Sequence, residues 1–384
     1  MAKRVPLDLF CEKKILTLQN TYDGLIDYID ISSVDNIEKR IVSYQTIEAH
    51  EAPSRAKQLL KKNDIIVSMV RPNLNAVAVV EQEYDNLMVG STGYCVLRCT
   101  ENMDYRYLFH FCQSEYFIDD MSSQATGASY PAVNAGIVRS SVIPVYTIER
   151  QREIAKKLDK LAFLISLRKQ QLAKLDELVK ARFVELFGTE TELDKWPCCT
   201  VGDVADVCVG VVIKPTQYYA DTGIPAFRSL NIGEMRVKDS DWVYFTEEGH
   251  QKNQKSVIRK NDVLVVRSGA PGTACVATEK YDGYNAVDII IAHPDNSKVN
   301  SVFLAAFTNM PHGMNQIRAK TGGAAQQHFN VGGYKAMCLI MPPLELQNQF
   351  ATFVEQTDKS KSAIQKSLDK LETLKGALMQ KYFG

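Results

Sequence analysis

KLDELVKARFVELFG at residues 174–188 returns as KLETLKGALMQKYFG at residues 370–384, and this recurrence decides the fold. Lys174 aligns with Lys370, Leu175 with Leu371, Leu178 with Leu374, Phe187 with Phe383 and Gly188 with Gly384, at a constant offset of 196 residues. The same offset carries Ile148-Glu149-x-Gln151 onto Leu344-Glu345-x-Gln347, and Asn134 onto Asn330. Further upstream it becomes 198, where Lys62-Asn63-Asp64 matches Lys260-Asn261-Asp262. One small loop deletion accounts for the change. The chain is a tandem duplication of a unit of roughly 190 residues, as a fixed long period implies.

Each unit has two textures. Its first part carries short apolar runs bounded by Gly, Pro, Asn and Asp, such as DIIVSMV and NAVAVV in one copy and DVLVVRS and VDIIIA in the other. These read as strands and turns. Amphipathic pieces such as YRYLFHFCQSEYFIDDM and VNSVFLAAFTNM read as helices against them, which makes an α+β globule. The second part of each unit follows a heptad. Leu158, Leu161, Ile165, Leu172, Leu175 and Val179 mark the stripe in the first copy, and Val354, Ile364, Leu368, Leu371 and Leu378 in the second, with Lys361 and Lys375 interrupting. Each helix would run ~35–40 residues, or ~50–60 Å at 1.5 Å per residue. A lone helix of that length cannot bury its stripe, so the two near-identical stripes are expected to pair as an antiparallel coiled coil. The expected order is a globule at 1–145, a helix at 146–190, a globule at 191–341 and a helix at 342–384.

Forty-five basic residues balance 45 acidic ones, so bulk charge selects no partner. Residues 1–143 hold 14 basic and 18 acidic side chains, and 189–341 hold 15 and 16, so any DNA footprint on the globules must be local. No apolar run approaches the ~18 residues of a membrane span. MAKRVPLDLFCEKK has no apolar stretch suited to a secretory signal. Nine cysteines without CxxC spacing fit reduced thiols in a cytoplasmic protein rather than a disulfide framework or zinc knuckle. Chemistry-bearing motifs are absent: there is no GxGxxG after a strand, no GxxxxGK[ST], no HExxH and no GxSxG. Met341-Pro342-Pro343-Leu344 lacks the Asn and the aromatic that hold a flipped base. Glu12-x-Lys14 has no upstream strand Asp and reads as a solvated turn. The histidines are scattered, so neither a catalytic nor a metal set is expected.

Binding chemistry remains. Arg267-Ser268-Gly269-Ala270-Pro271-Gly272 follows DVLVV, and its counterpart Arg71-Pro72-Asn73-Leu74-Asn75 follows DIIVSMV. A second pair of segments sets Thr126-Gly127-Ala128-Ser129-Tyr130-Pro131 against residues 321–328, which end in Gln326-Gln327-His328. Their large side chains differ while the surroundings match. Gln and Asn read adenine bidentately and Arg reads guanine. Arg71, Asn73, Asn75, Ser129 and Tyr130 are therefore the candidate DNA contacts of the first globule, and Arg267, Ser268, Gln326, Gln327 and His328 those of the second. Asn134 and Asn330, identical in both copies, suit a turn or cap at least as well as a contact.

This alternation of globule and long helix resembles the DNA-specificity subunit of type I restriction–modification systems. The resemblance rests on YIDISSVD, KNDIIVSMVRPNLNAVAVVE, KNDVLVVRSGAPG, IPVYTIERQREIAKKLDKL and MPPLELQNQF, and it spans essentially the whole chain. It implies a non-catalytic subunit with two target-recognition domains, each reading one half of a bipartite, asymmetric double-stranded DNA site. The helices would set the spacing and dock two methyltransferase subunits, and a translocase–endonuclease subunit would join for cleavage. S-adenosylmethionine, Mg²⁺ and ATP would be bound by those partners and not by this chain. Two other classes fit the same residues: a coiled-coil scaffold with two protein-binding domains, and a degenerate fused DNA methyltransferase or nuclease.

Overall fold

The computed structural model describes residues 3–81, 85–321 and 328–384. It divides into two compact units, one of residues 1–169 with 366–384 and one of residues 170–365.

In the first unit, strands Leu25–Ile29, Gln45–Glu48, Ala56–Leu59 and Leu87–Ser91 form a sheet in which only Leu25–Ile29 and Leu87–Ser91 run parallel. A three-stranded antiparallel sheet has Ile65–Ser68 at its centre, flanked by Val77–Val79 and Tyr94–Leu97. Continuous apolar runs, rather than alternating ones, build this second sheet because both of its faces are covered. Ile65, Val67, Val77, Val79, Cys95 and Leu97 pack towards helices Tyr105–Phe111 and Glu115–Ser123. Ile66, Ala78, Tyr94 and Val96 pack on the opposite side with Ile29, Val34 and Met88. The second unit repeats the device. Its antiparallel sheet runs Ala205–Val209, Ile289–Pro294, Val263–Val266, Ala274–Val276. Val263 and Val265 face helix Ser301–Asn309, while Leu264 and Val266 face a separate core around Phe227.

The heptad segments are two helices of 40 residues each, Ile148–Phe187 and Leu344–Phe383. Within the first unit, Arg150 lies over the Tyr382 ring at 6.0 Å and Lys169 pairs with Glu372 at 3.0 Å, so the two helical segments there run antiparallel. In the second unit Asp176 pairs with Lys361 at 2.7 Å, and Phe183 and Phe187 meet Phe350 at 5.4 and 5.7 Å. Numbers rise on one helix as they fall on the other there too. All eleven stripe residues, Leu158, Leu161, Ile165, Leu172, Leu175, Val179, Val354, Ile364, Leu368, Leu371 and Leu378, are buried or half-buried.

Two repeated motifs explain how the helices are fixed. Gln151 and Gln347, the last residues of the repeated hydrophobic-Glu-x-Gln string, are fully buried. The Gln151 side chain accepts from the Asp104 N–H at 2.9 Å and donates to the Tyr146 and Asn102 carbonyls at 2.9 and 3.2 Å. Gln347 accepts from the Asn300 N–H at 2.9 Å and donates to the Pro342 carbonyl at 2.8 Å. Asp104 and Asn300 are themselves the N-caps of Tyr105–Phe111 and Ser301–Asn309. One amide thus ties the start of each long helix to the cap of a globule helix, and it leaves no buried polar atom of its own unpaired. At the other end, Phe187 packs on Phe303 at 4.8 Å and Phe383 on Tyr107 at 5.1 Å. Since Tyr107 and Phe303 are equivalent across the repeat, the same aromatic plug closes both cores, Phe383 in the first unit and Phe187 in the second.

Candidate DNA interface

In the first unit the strand Ile65–Ser68 leads into a loop whose backbone turns sharply twice. Arg71 and Asn75 both adopt φ 49°, bracketing the short helix Pro72–Leu74. The left-handed region suits Asn better than most residues. The Arg71 N–H donates to the Pro131 carbonyl at 2.7 Å, and Val70 and Thr126 each bridge to Ala132. These bonds staple the 71–75 loop to the 126–132 loop. Arg71, Asn73, Ser129 and Tyr130 are consequently brought together and all are exposed. The Arg71 guanidinium lies 4.9 Å from the centre of the Tyr130 ring, a cation–π stack on a ring that is 69% exposed.

Asn75 differs from the expectation. It is buried, donates to the Cys112 carbonyl at 2.8 Å and accepts from the Lys39 ammonium at 2.9 Å. Its amide has partners inside the protein and holds the loop instead of facing a base. Its Lys39 partner belongs to a hairpin, Val34–Asp35 with Arg40–Ile41, that sequence reasoning passed over. The Asn36 side chain of this hairpin donates to the Leu74 carbonyl at 3.5 Å, and Ile37 at the tip is 81% exposed. The acidic-amide turn Asp35-Asn36 was its only trace in the sequence.

The second unit staples its loops the same way: Ser268 bridges to His328, and the Phe329 N–H donates to the Arg267 carbonyl at 3.0 Å. Gly269 and Gly272 have φ 87° and 95°, and a Cβ on Gly272 would come within 2.8 Å of Met314 and Ile317. Here the structure places Arg267, expected as a DNA contact, mostly inside the protein. Only 8% exposed, it donates to Asp288 at 2.7 Å and to the Phe329 carbonyl at 3.2 Å, and it also meets His328 Nε2. An arginine is donor-only, so Nε2 accepts, and the proton on Nδ1 is left for Ser268 Oγ, 2.7 Å away. The guanidinium braces the loop pair, while half-buried Ser268 and exposed His328 remain at the surface. Gln326 and Gln327 lie outside the described residues.

Asn134 and Asn330 are both caps: their side chains accept from the N–H groups of Ile137 at 3.0 Å and Gly333 at 2.7 Å. Folding also joins titratable groups that are distant in sequence. The ligand atoms of Asp23, Glu48 and His50 come within 4.8 Å of one another at the surface. His110, buried, meets Asp159 of the long helix at 2.9 Å, and burial lowers the imidazole's proton affinity. No helix among the described residues is long and apolar enough to cross a membrane.

Two α+β globules, each continued by a long helix and each presenting a stapled loop pair, define a duplicated recognition architecture. The chain belongs to the type I restriction modification DNA specificity domain family, which matches it twice, over residues 7–177 and 194–374. It is 21% identical over 395 residues to the type I restriction enzyme StySPI specificity subunit of Salmonella potsdam, spanning 93% of this chain and 82% of that one. To the EcoKI specificity subunit of Escherichia coli K12 it is 19% identical over 388 residues, with the same coverage. Among solved structures, the S subunit of a type I restriction–modification system from M. genitalium superposes with a TM-score of 0.61 at 14% identity, covering 100% of this chain and 96% of that one. A chain from a study of complex assembly and conformational transition of the type I R-M system gives 0.59 at 23% identity, covering 99% and 97%.

Proposed function

We propose that this specificity subunit reads a bipartite, asymmetric site on double-stranded DNA, one half-site per globule, and docks two methyltransferase subunits on its helices. The observation that carries the reading is the pair of stapled loops: the frame is common to both units, but the exposed side chains differ. Arg71, Asn73, Ser129 and Tyr130 stand where the second unit offers Ser268 and His328, so the two faces suit different base edges. Gln326 and Gln327 belong to the same proposed contact set. The chain carries no chemistry of its own in this reading. S-adenosylmethionine, Mg²⁺ and ATP are bound by the methyltransferase and translocase–endonuclease partners, in the cytoplasm.

The test is a graft. Replacing residues 191–341 with the corresponding globule of a relative, and sequencing the methylated genome of the host, should change one half of the modified motif and leave the other intact. Simultaneous change of both halves would refute independent readout, and loss of all methylation by a folded, partner-bound graft would refute recognition by the globules.

A further inference from the structure

The repeated Lys-Asn-Asp turn holds a buried carboxylate in each unit. Asn63 and Asn261 adopt φ 69° and 71°, and the following Asp accepts an N–H three residues back, Lys61 for Asp64 at 2.8 Å and Arg259 for Asp262 at 2.6 Å. In the first unit Asp64 receives two bonds from Arg98, at 2.8 and 2.7 Å, and the guanidinium also faces Glu12 at 3.6 Å. A cation sits between two carboxylates. In the second unit the cation is His293. Its Nδ1 meets Asp262 at 2.6 Å, and its Nε2 faces the sulfur of Cys208 at 3.7 Å. Sulfur stands in the place of the second carboxylate.

We propose that Cys208 is a nucleophilic cysteine, activated by His293 with Asp262 orienting the imidazole, and that it is a site of modification by soft electrophiles. Nucleophile, imidazolium and orienting carboxylate are in the sequence of contacts that thiolate activation needs. With Nδ1 engaged by Asp262, Nε2 is the nitrogen that exchanges a proton with sulfur. That proton has a second acceptor, the Lys255 carbonyl 3.2 Å from the sulfur, but only the imidazole can carry it away. Asp262 and Cys208, in that order, raise the proton affinity of His293 to a pKa of about 9. Charged residues at this edge among the described residues include Asp206, paired across the strands with His293, Lys335, 4.0 Å from Asp206, and Lys255, whose carbonyl meets the sulfur.

Competition among the nine cysteines favours Cys208. Burial makes Cys11, Cys95, Cys99, Cys112 and Cys275 reluctant to ionise. Cys198 is pushed up to about 11, by desolvation first and by Cys338 next, and Cys199 is raised too. Cys338 is exposed but has a thiol for a neighbour rather than a base. With hydrogen peroxide, the Cys208 sulfur attacks one oxygen and the O–O bond breaks. The other oxygen leaves as water with the proton passed through His293, and the sulfur, two electrons poorer, becomes a sulfenic acid.

The test uses the full chain, folded, and iodoacetamide, with site-resolved alkylation rates read by mass spectrometry between pH 6 and 9. Cys208 should be alkylated at least about tenfold faster than Cys338 at pH 7, in keeping with a thiolate held beside the His293 imidazolium. His293→Gln should remove that lead while the Cys338 rate stays put. After hydrogen peroxide, dimedone should trap sulfenic acid at Cys208 before any other site. A wild-type Cys208 rate no greater than that of Cys338 overturns the proposal without recourse to any variant, and so does a lead that survives intact in a folded His293→Gln protein.

Discussion

Phe383→Ala tests the plug that closes the first core. The Phe383 ring is fully buried, 5.1 Å from Tyr107 and 5.8 Å from Phe111, and sits in the cluster that includes Leu158 and Tyr382. Removing it costs the lost transfer free energy plus the cavity left behind, about 3–5 kcal/mol for a Phe→Ala change at a site that cannot collapse. With an m-value near 2–3 kcal/mol/M, the urea midpoint should fall by about 1–2 M. The chain supplies its own control. Both tryptophans, Trp196 and Trp242, lie in the second unit, so tryptophan fluorescence reports that unit while far-ultraviolet circular dichroism reports both. Phe383→Ala should move the dichroism transition well ahead of the fluorescence transition, whereas Phe187→Ala should move the fluorescence transition itself. Phe383→Leu, which keeps most of the volume, should cost less than about 1.5 kcal/mol. A Phe383→Ala loss below about 1 kcal/mol would refute the plug.

Three further outcomes are expected. Tyr130→Ala, removing the exposed ring under Arg71, should cost about 1–3 kcal/mol of discrimination at one half-site and spare the other, measured by DNA binding of the assembled complex; equal loss on all sequences would mark a phosphate contact instead. Arg267→Met should lower stability by about 1–3 kcal/mol, because Asp288 and the Phe329 carbonyl lose their donor, and a variant of unchanged stability with one relaxed base position would restore the direct-contact role. His293, its pKa raised to about 9 by Asp262 and then Cys208, should stabilise the second unit fully below its ordinary value of 6.5; that contribution, up to about 3 kcal/mol, should be lost as pH rises through 9. Fluorescence-monitored unfolding from pH 6 to 10 should show this slope in the wild type, and a slope unchanged in His293→Gln would remove the histidine as its source.

The long helices were legible because period and duplication are properties of the chain itself: a stripe such as Leu158–Leu161–Ile165 repeats at the spacing in which helices bury side chains. The placement of the loop side chains was only half legible. Arg71 and Arg267 occupy comparable strand-end loops, yet one stacks on an exposed ring and the other is sealed beneath His328 and Phe329. The difference lies in Asp288 and residues beyond 320, brought in by tertiary folding. Asn75 looked like a base reader for the same reason that it makes a good brace, an amide with both donor and acceptor faces. The Gln151 and Gln347 motif announced a helix start but not its clamp, since Asp104 and Asn300 lie 47 residues upstream. Cys208, Asp262 and His293 come from three different strands or turns, and no spacing rule joins them.

The aromatic plugs also set an order of assembly during synthesis. Everything in the second unit lies between residues 170 and 365, so its core can close as soon as that stretch has left the ribosome. The first unit, although translated earlier, must wait for Tyr382 and Phe383, and Arg4 must wait for the carbonyls of Phe383 and Gly384 at 3.0 and 2.6 Å. Vectorial synthesis therefore holds the earlier globule open while the later one folds, with apolar faces such as those of Tyr107 and Phe111 uncovered for the interval. A nascent chain stalled before residue 366 should be the most chaperone-dependent form of this protein, and the one most exposed to aggregation.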